Sequence, residues 1–174
     1  MADIIILLDY KGEFQCSISD LKNYTSMDMN KVVQYLKELG HSVEVMGFKD
    51  IDLSKSYKGK FVLYHSYEDP GLFYKSYIED ICLFLKFKGA ILIPKFEYLR
   101  AHHNKAFMEM LRYTFRNKEL KTIKSQIFGT YEDSIKEKIE FPCVIKSSEG
   151  AGGIRVGLVL GRKQFPYMSK KCRG

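Results

Sequence analysis

The stretch ADIIILLDYKG, residues 2–12, holds five consecutive aliphatic residues, Ile4 to Leu8, closed off by Asp9, Tyr10 and Gly12. So short a run, apolar without alternation, is the pattern of a parallel strand covered on both faces. It predicts a central strand, and the segments that follow supply what a parallel sheet needs. A helix is expected from Asp28 to Leu39, with Val32, Val33, Leu36 and Leu39 on one face and Gly40 as its stop. His41 to Phe48 alternates as a second strand, and Lys60 to Tyr64 reads as a third. Asp69-Pro70 then reads as an N-cap with proline at the first helical position. The apolar positions of that helix are Tyr74, Ile78, Ile81 and Leu85, and Gly89 ends it before a strand from Ala90 to Ile93. The order βαββαβ predicts an α/β fold with a doubly wound parallel sheet, because parallel neighbours need long crossovers and helices supply them.

Composition sets the limits around that sheet. With 174 residues, 45% of them apolar and 28% charged, the chain is ordinary for a globular protein. At this length, folding buries about 70% of the unfolded surface. Ile4 to Leu8 is the longest purely aliphatic run and cannot span a bilayer, and the start MADIIILLDY lacks a basic region of the kind that opens a signal peptide. Cys16, Cys82, Cys143 and Cys172 show no CxxC spacing, so a reducing cytoplasm is the expected setting. The net charge of +7 is concentrated in residues 161–174, where Arg162, Lys163, Lys170, Lys171 and Arg173 meet no acid. Without those five, 23 basic residues stand against 21 acidic ones, leaving +2 for residues 1–160. A nucleic-acid partner would need a basic face on the fold, and none is expected.

In open parallel sheets, ligands lie at the carboxyl ends of the strands. That rule nominates Asp9 and Tyr10 after the first strand, Tyr64, His65 and Ser66 after the third, and residues 96–103 after the fourth. For His65, a backbone carbonyl satisfying the imidazole is an alternative to any chemical role. A dinucleotide fingerprint is absent, since LLDYKGEFQ offers one glycine where GxGxxG is required. A Walker loop is excluded too, because Lys146 precedes Gly150, Gly152 and Gly153 and a β-branched run follows them.

Downstream, Asn104 reads as the N-cap of a helix carrying Phe107, Met110, Leu111 and Thr114 on one face. Lys105 then falls in the first turn, where the helix dipole disfavours a cation by about 0.3–1 kcal/mol unless an anion is near. A solvated lysine is the alternative. His102 and His103 have no further ligand at metal spacing, so no metal is expected there. Thr122 to Phe128 reads as a strand, and Thr130 as the cap of a short helix with Ile135 and Ile139. FPCVIKSSEGAGGIRVGLVL, residues 141–160, then reads as strand, glycine-rich loop, strand. A loop so rich in glycine can turn its backbone N–H groups onto phosphate oxygens, or simply close a hairpin.

The succession HNKAFMEMLR (103–112) and QIFGTYEDSIKEKIEFPCVIKSSEGAGGIRVGLV (126–159) resembles the front half of the ATP-grasp superfamily. The resemblance covers residues 1 to about 160. It implies a Rossmann-like pre-ATP-grasp domain over residues 1–101, followed over 102–174 by the N-terminal part of a small α+β ATP-grasp domain ending in a β-hairpin. It also implies that ATP phosphates are contacted by Lys105, Lys146, Ser147, Ser148, Gly150, Gly152 and Gly153. The activity implied is ligation of a small-molecule carboxylate to an amine or thiol through an acyl phosphate, with magnesium. In the family, the adenine hinge and the magnesium ligands follow the hairpin, whereas GRKQFPYMSKKCRG carries neither. The expectation is therefore a truncated ligase, inactive alone, that binds neither nucleic acid nor membrane and leaves a homo-oligomer or a complementing chain open. The alternative is a noncatalytic α/β binding or interaction module.

Overall fold

A computed structural model describes residues 1–14, 27–66, 72–149 and 155–172. The chain divides into two units, Met1–Leu99 and Arg100–Gly174. In the first unit, β1 (Asp3–Leu8) leads to α1 (Met29–Glu38) and β2 (Ser42–Gly47), then to a 3₁₀ turn (Phe48–Asp50) and β3 (Phe61–Tyr64). After these come α2 (Phe73–Phe87), β4 (Ile91–Ile93) and α3 (Phe96–His103), the last of which straddles the division. The four strands form one parallel sheet in the order β2-β1-β3-β4.

The expected central strand is central. Ile4 pairs with both Val43 and Phe61, and Leu7 with both Met46 and Tyr64. Ile5 and Leu7 point into a core shared with Val62, Tyr64 and Leu92, and with Ile78, Cys82 and Leu85 of α2. Ile4 and Ile6 are buried on the opposite side of the sheet, so the stretch Ile4 to Leu7 has no solvent face and its lack of alternation is explained. Residues 78, 82 and 85 recur at four and three, the spacing that brings one helix face onto a sheet.

Helix starts follow local chemistry. Asp28 caps α1 by accepting from Lys31 N at 3.2 Å. For α2, Asp69 and Pro70 lie outside the described residues, and the helix begins at Phe73 behind Leu72, whose φ of 58° is left-handed. Lys75, on the first turn of α2, is buried and paired with Glu79, one turn on, and it also donates to Leu99 O at 3.5 Å.

The second unit contains α4 (Lys105–Thr114), a 3₁₀ turn (Glu119–Lys121), α5 (Tyr131–Ser134), an antiparallel pair β5 (Cys143–Lys146) and β6 (Val156–Val159), and α6 (Phe165–Lys171). Residues 122–128 form no strand, contrary to their pattern. The Arg112 guanidinium takes the carbonyls of Leu120 and Ile123 (2.9 Å to the latter) and Ser125 Oγ at 3.2 Å. Within the segment the Ile123 carbonyl is thus taken by a side chain, and no described strand lies alongside to form a ladder. Thr130 caps α5 as expected, accepting from Asp133 N at 3.1 Å, but the helix ends at Ser134, short of Ile139. Arg162 closes its end by donating to Ile135 O at 2.8 Å and Glu137 O at 3.3 Å.

Of the basic segment after the hairpin, residues 161–172 are described and carry α6. Phe165 and Cys172 of the α6 region are buried, as is Val159 of β6, and Gly157 faces Met168 so closely that a Cβ there would collide with Met168 Cε. Among the described residues no helix is long and apolar enough to cross a membrane.

Two outcomes follow for stability. Gly40 and Gly89 both hold left-handed backbone (φ 84° and 86°), yet a Cβ at Gly40 meets nothing, while at Gly89 it would sit 3.0 Å from Lys58 Cα. Gly40→Ala should therefore cost about 1–2 kcal/mol for the backbone alone, and Gly89→Ala more, as urea unfolding would measure. Phe165→Ala should cost about 3–5 kcal/mol. It would be read as lost amide protection in β5 and β6 by hydrogen exchange.

Candidate phosphate-binding site

Lys105 and Lys146 lie on different elements of the second unit, one opening α4 and the other closing β5. Asn104 places the first. Its side chain accepts from Phe107 N at 2.8 Å, which starts the helix one residue later and makes Lys105 the first helical residue. The hairpin register places the second, since Lys146 pairs with Val156 and Ser147 N donates to Arg155 O at 3.1 Å. The two segments are joined directly, because Lys105 N donates to Ser148 O at 2.7 Å. That bond brings together the start of α4 and the residues immediately after Lys146.

Two N–H groups at the start of α4 are thus already committed, to Ser148 and to Asn104. An anion here would be held by lysine side chains more than by the helix end. Ser147 is half-buried with its hydroxyl on Glu149 O at 2.6 Å, while Ser148 is exposed. Gly150, Gly152 and Gly153 lie outside the described residues.

Alternation along the hairpin divides its two faces. Cys143, Ile145, Gly157 and Val159 form one, which includes the buried positions, and Val144, Lys146, Val156 and Leu158 form the other, which is exposed. Lys146 therefore stands on an open face.

Glu109, on α4, was not legible as part of this region. Burial works to raise its carboxyl, but hydrogen bonds from Arg112 and Ser125 and the charges of Arg112 and Lys146 leave it below the usual carboxylate range. Arg112 donates to it through Nε at 2.9 Å and Nη2 at 2.5 Å. The spacing of Glu109 and Arg112, three residues apart on a helix, was the available signal; the approach of Lys146 required the fold. Arg112 pairs with Glu109 directly, and the charge of Lys146 acts on the same carboxylate.

The remaining sequence candidates belong to the first unit. Asp9 and Tyr10 follow β1, and His65 and Ser66 follow β3, as their strand-end positions required. Asp9 is buried, Ser66 half-buried, and Tyr10 and His65 exposed. Residues 96–103, expected to follow a strand end, form α3. His102 and His103 stack edge to face, with ring centroids 4.8 Å apart. Among the described residues no group of three or more His, Cys, Asp or Glu side chains is placed to hold a metal ion. No protein-family model matches the chain, and no curated protein is significantly similar to it.

Proposed function

We propose that the chain binds ATP through its phosphates, using Lys105 and Lys146, and that it carries the front part of an ATP-grasp-type ligase. The observation that carries this reading is the 2.7 Å hydrogen bond from Lys105 N to Ser148 O, which draws together two segments, each bearing a lysine, that are some forty residues apart in the chain. The parallel sheet with order β2-β1-β3-β4 supports the Rossmann-like part of the reading, and the antiparallel β5–β6 pair supports the ATP-grasp part.

The chemistry that goes with this reading is phosphorylation of a carboxylate, followed by attack of an amine or thiol on the acyl phosphate. The part assigned to this chain is electrostatic. Lys105 and Lys146 hold phosphate oxygens from two directions and offset negative charge as it shifts during transfer. Lysine suits that task as a compact charge on a flexible stem. Magnesium belongs to such chemistry, but the described residues offer no cluster to hold it, and no step is assigned through it.

A second reading, a noncatalytic interaction module, is favoured by one observation. The open face of the hairpin exposes Val144 (54%) and Leu158 (59%) beside Lys146, a patch suited to covering by a partner.

Titration of a fluorescent ATP analogue, with and without magnesium, tests the first reading. Lys146→Ala and Lys105→Ala should each weaken binding about tenfold or more, the worth of one charge-assisted contact. Unchanged affinity in both variants would remove the phosphate reading. In that case Val144→Ser with Leu158→Ser should alter self-association in sedimentation, as the module reading requires.

A further inference from the structure

We infer that the carboxyl ends of β1 and β3 form a site for the ammonium group of a small organic amine, with Asp9 as its counter-ion and Ser66 as a second acceptor. The inference rests on the first unit alone and is independent of the phosphate reading.

Topology selects the place. The sheet order β2-β1-β3-β4 means that the chain leaves β1 for β2 on one side and returns to β3 on the other. The change of direction falls between β1 and β3, the position at which sheets of this kind hold their ligands. Leu7 pairs with Tyr64 across these strands, so Asp9 and Ser66 each stand two residues beyond the same paired position.

Chemistry selects the ligand. Asp9 is 8% exposed, and its Oδ1 accepts from Lys11 N at 2.8 Å and Glu13 N at 3.0 Å. Its Oδ2 is buried with no hydrogen-bond partner, and no ion pair is formed by Asp9 among the described residues. Ser66 Oγ is also buried without a partner. An unpaired buried acceptor is costly, and an unpaired buried charge costs more. An ammonium group answers both, since it brings a positive charge to the carboxylate and has three protons to share between the two oxygens. A hydroxyl brings one proton and no charge. A divalent cation lacks its ligand set, because no three metal-binding side chains converge among the described residues.

The surroundings favour an amine with an apolar body. The Tyr74 ring lies edge-on to Tyr10 at 5.0 Å and 5.8 Å from Tyr77. Burial first, and then the negative charge of Asp9, push the Tyr74 hydroxyl up to about 12. Aromatic faces attract organic cations and pack against their hydrocarbon. Tyr10 is 61% exposed, so the site lies close beneath the surface.

The test titrates the full chain with benzylammonium at neutral pH and with benzyl alcohol, its neutral counterpart, following amide chemical shifts. Benzylammonium is expected to saturate shifts around Asp9 and Ser66 and to bind at least about tenfold tighter than the alcohol. Asp9→Asn keeps an acceptor for Lys11 N and Glu13 N but replaces Oδ2 with a donor, and it should abolish the preference for the amine. Ser66→Ala should weaken the amine only a few-fold. Equal binding of the alcohol by the wild-type chain, no saturable binding by either probe, or an unchanged amine preference in a folded Asp9→Asn would each overturn the inference. The comparison of the two probes on the wild-type chain does not depend on any variant folding.

Discussion

The first unit depends on β1 being buried on both faces. Ile5 and Leu7 serve the core under α2, while Ile4 and Ile6 are covered on the other side. A strand in that position cannot slip by one residue at little cost, because Ile4 to Leu7 are all buried and the ladders to β2 and β3 share its backbone. It also explains why residues just past its end matter. Asp9 follows Leu8 with no slack, so its carboxylate is carried under the surface by the strand, and the tight turn that closes onto Oδ1 holds it there.

Several buried or half-buried charges among the described residues are compensated locally. Lys75, 3% exposed, is met by Glu79 one turn along the same helix and by the carbonyl of Leu99. Glu109 is met by Arg112, whose other donors tie down the chain from Leu120 to Ser125. Asp9 differs. Its partners are backbone N–H groups on one oxygen only, and no cation answers the other. Lys146 is a cation on an open sheet face, and its charge acts on an acid already paired with arginine. The two side chains differ in sign and lie in different units.

What could be read from the chain depended on the range of the interaction. The strand Ile4 to Leu8 and the caps Asp28, Asn104 and Thr130 act within a few residues, and each appears within a residue or two of where its pattern put it. Residues 122–128 misled because a segment that can be a strand still needs a neighbour, and no described strand lies alongside them, while the Ile123 carbonyl goes to Arg112. The segment 161–174 misled through its composition. Its five cations drew the eye, yet Phe165 and Cys172, spaced for one helix face, are buried in the α6 region. Of the candidate site, the residue types were legible, while the bond from Lys105 N to Ser148 O and the approach of Lys146 to Glu109 join distant parts of the chain and needed the fold.

The order of strands has a further consequence at the rims of the sheet. β2 and β4 are its two borders, and each leaves a row of peptide groups without a neighbour in the sheet. β4 carries the greasier rim, with Ile91 and Ile93 both near half exposed, but it is three residues long and Pro94 follows with no N–H to offer. β2 is twice that length and contains no proline, and Glu44 is its sole charged residue. Of the two rims, β2 is therefore the longer and the one without a proline to interrupt it.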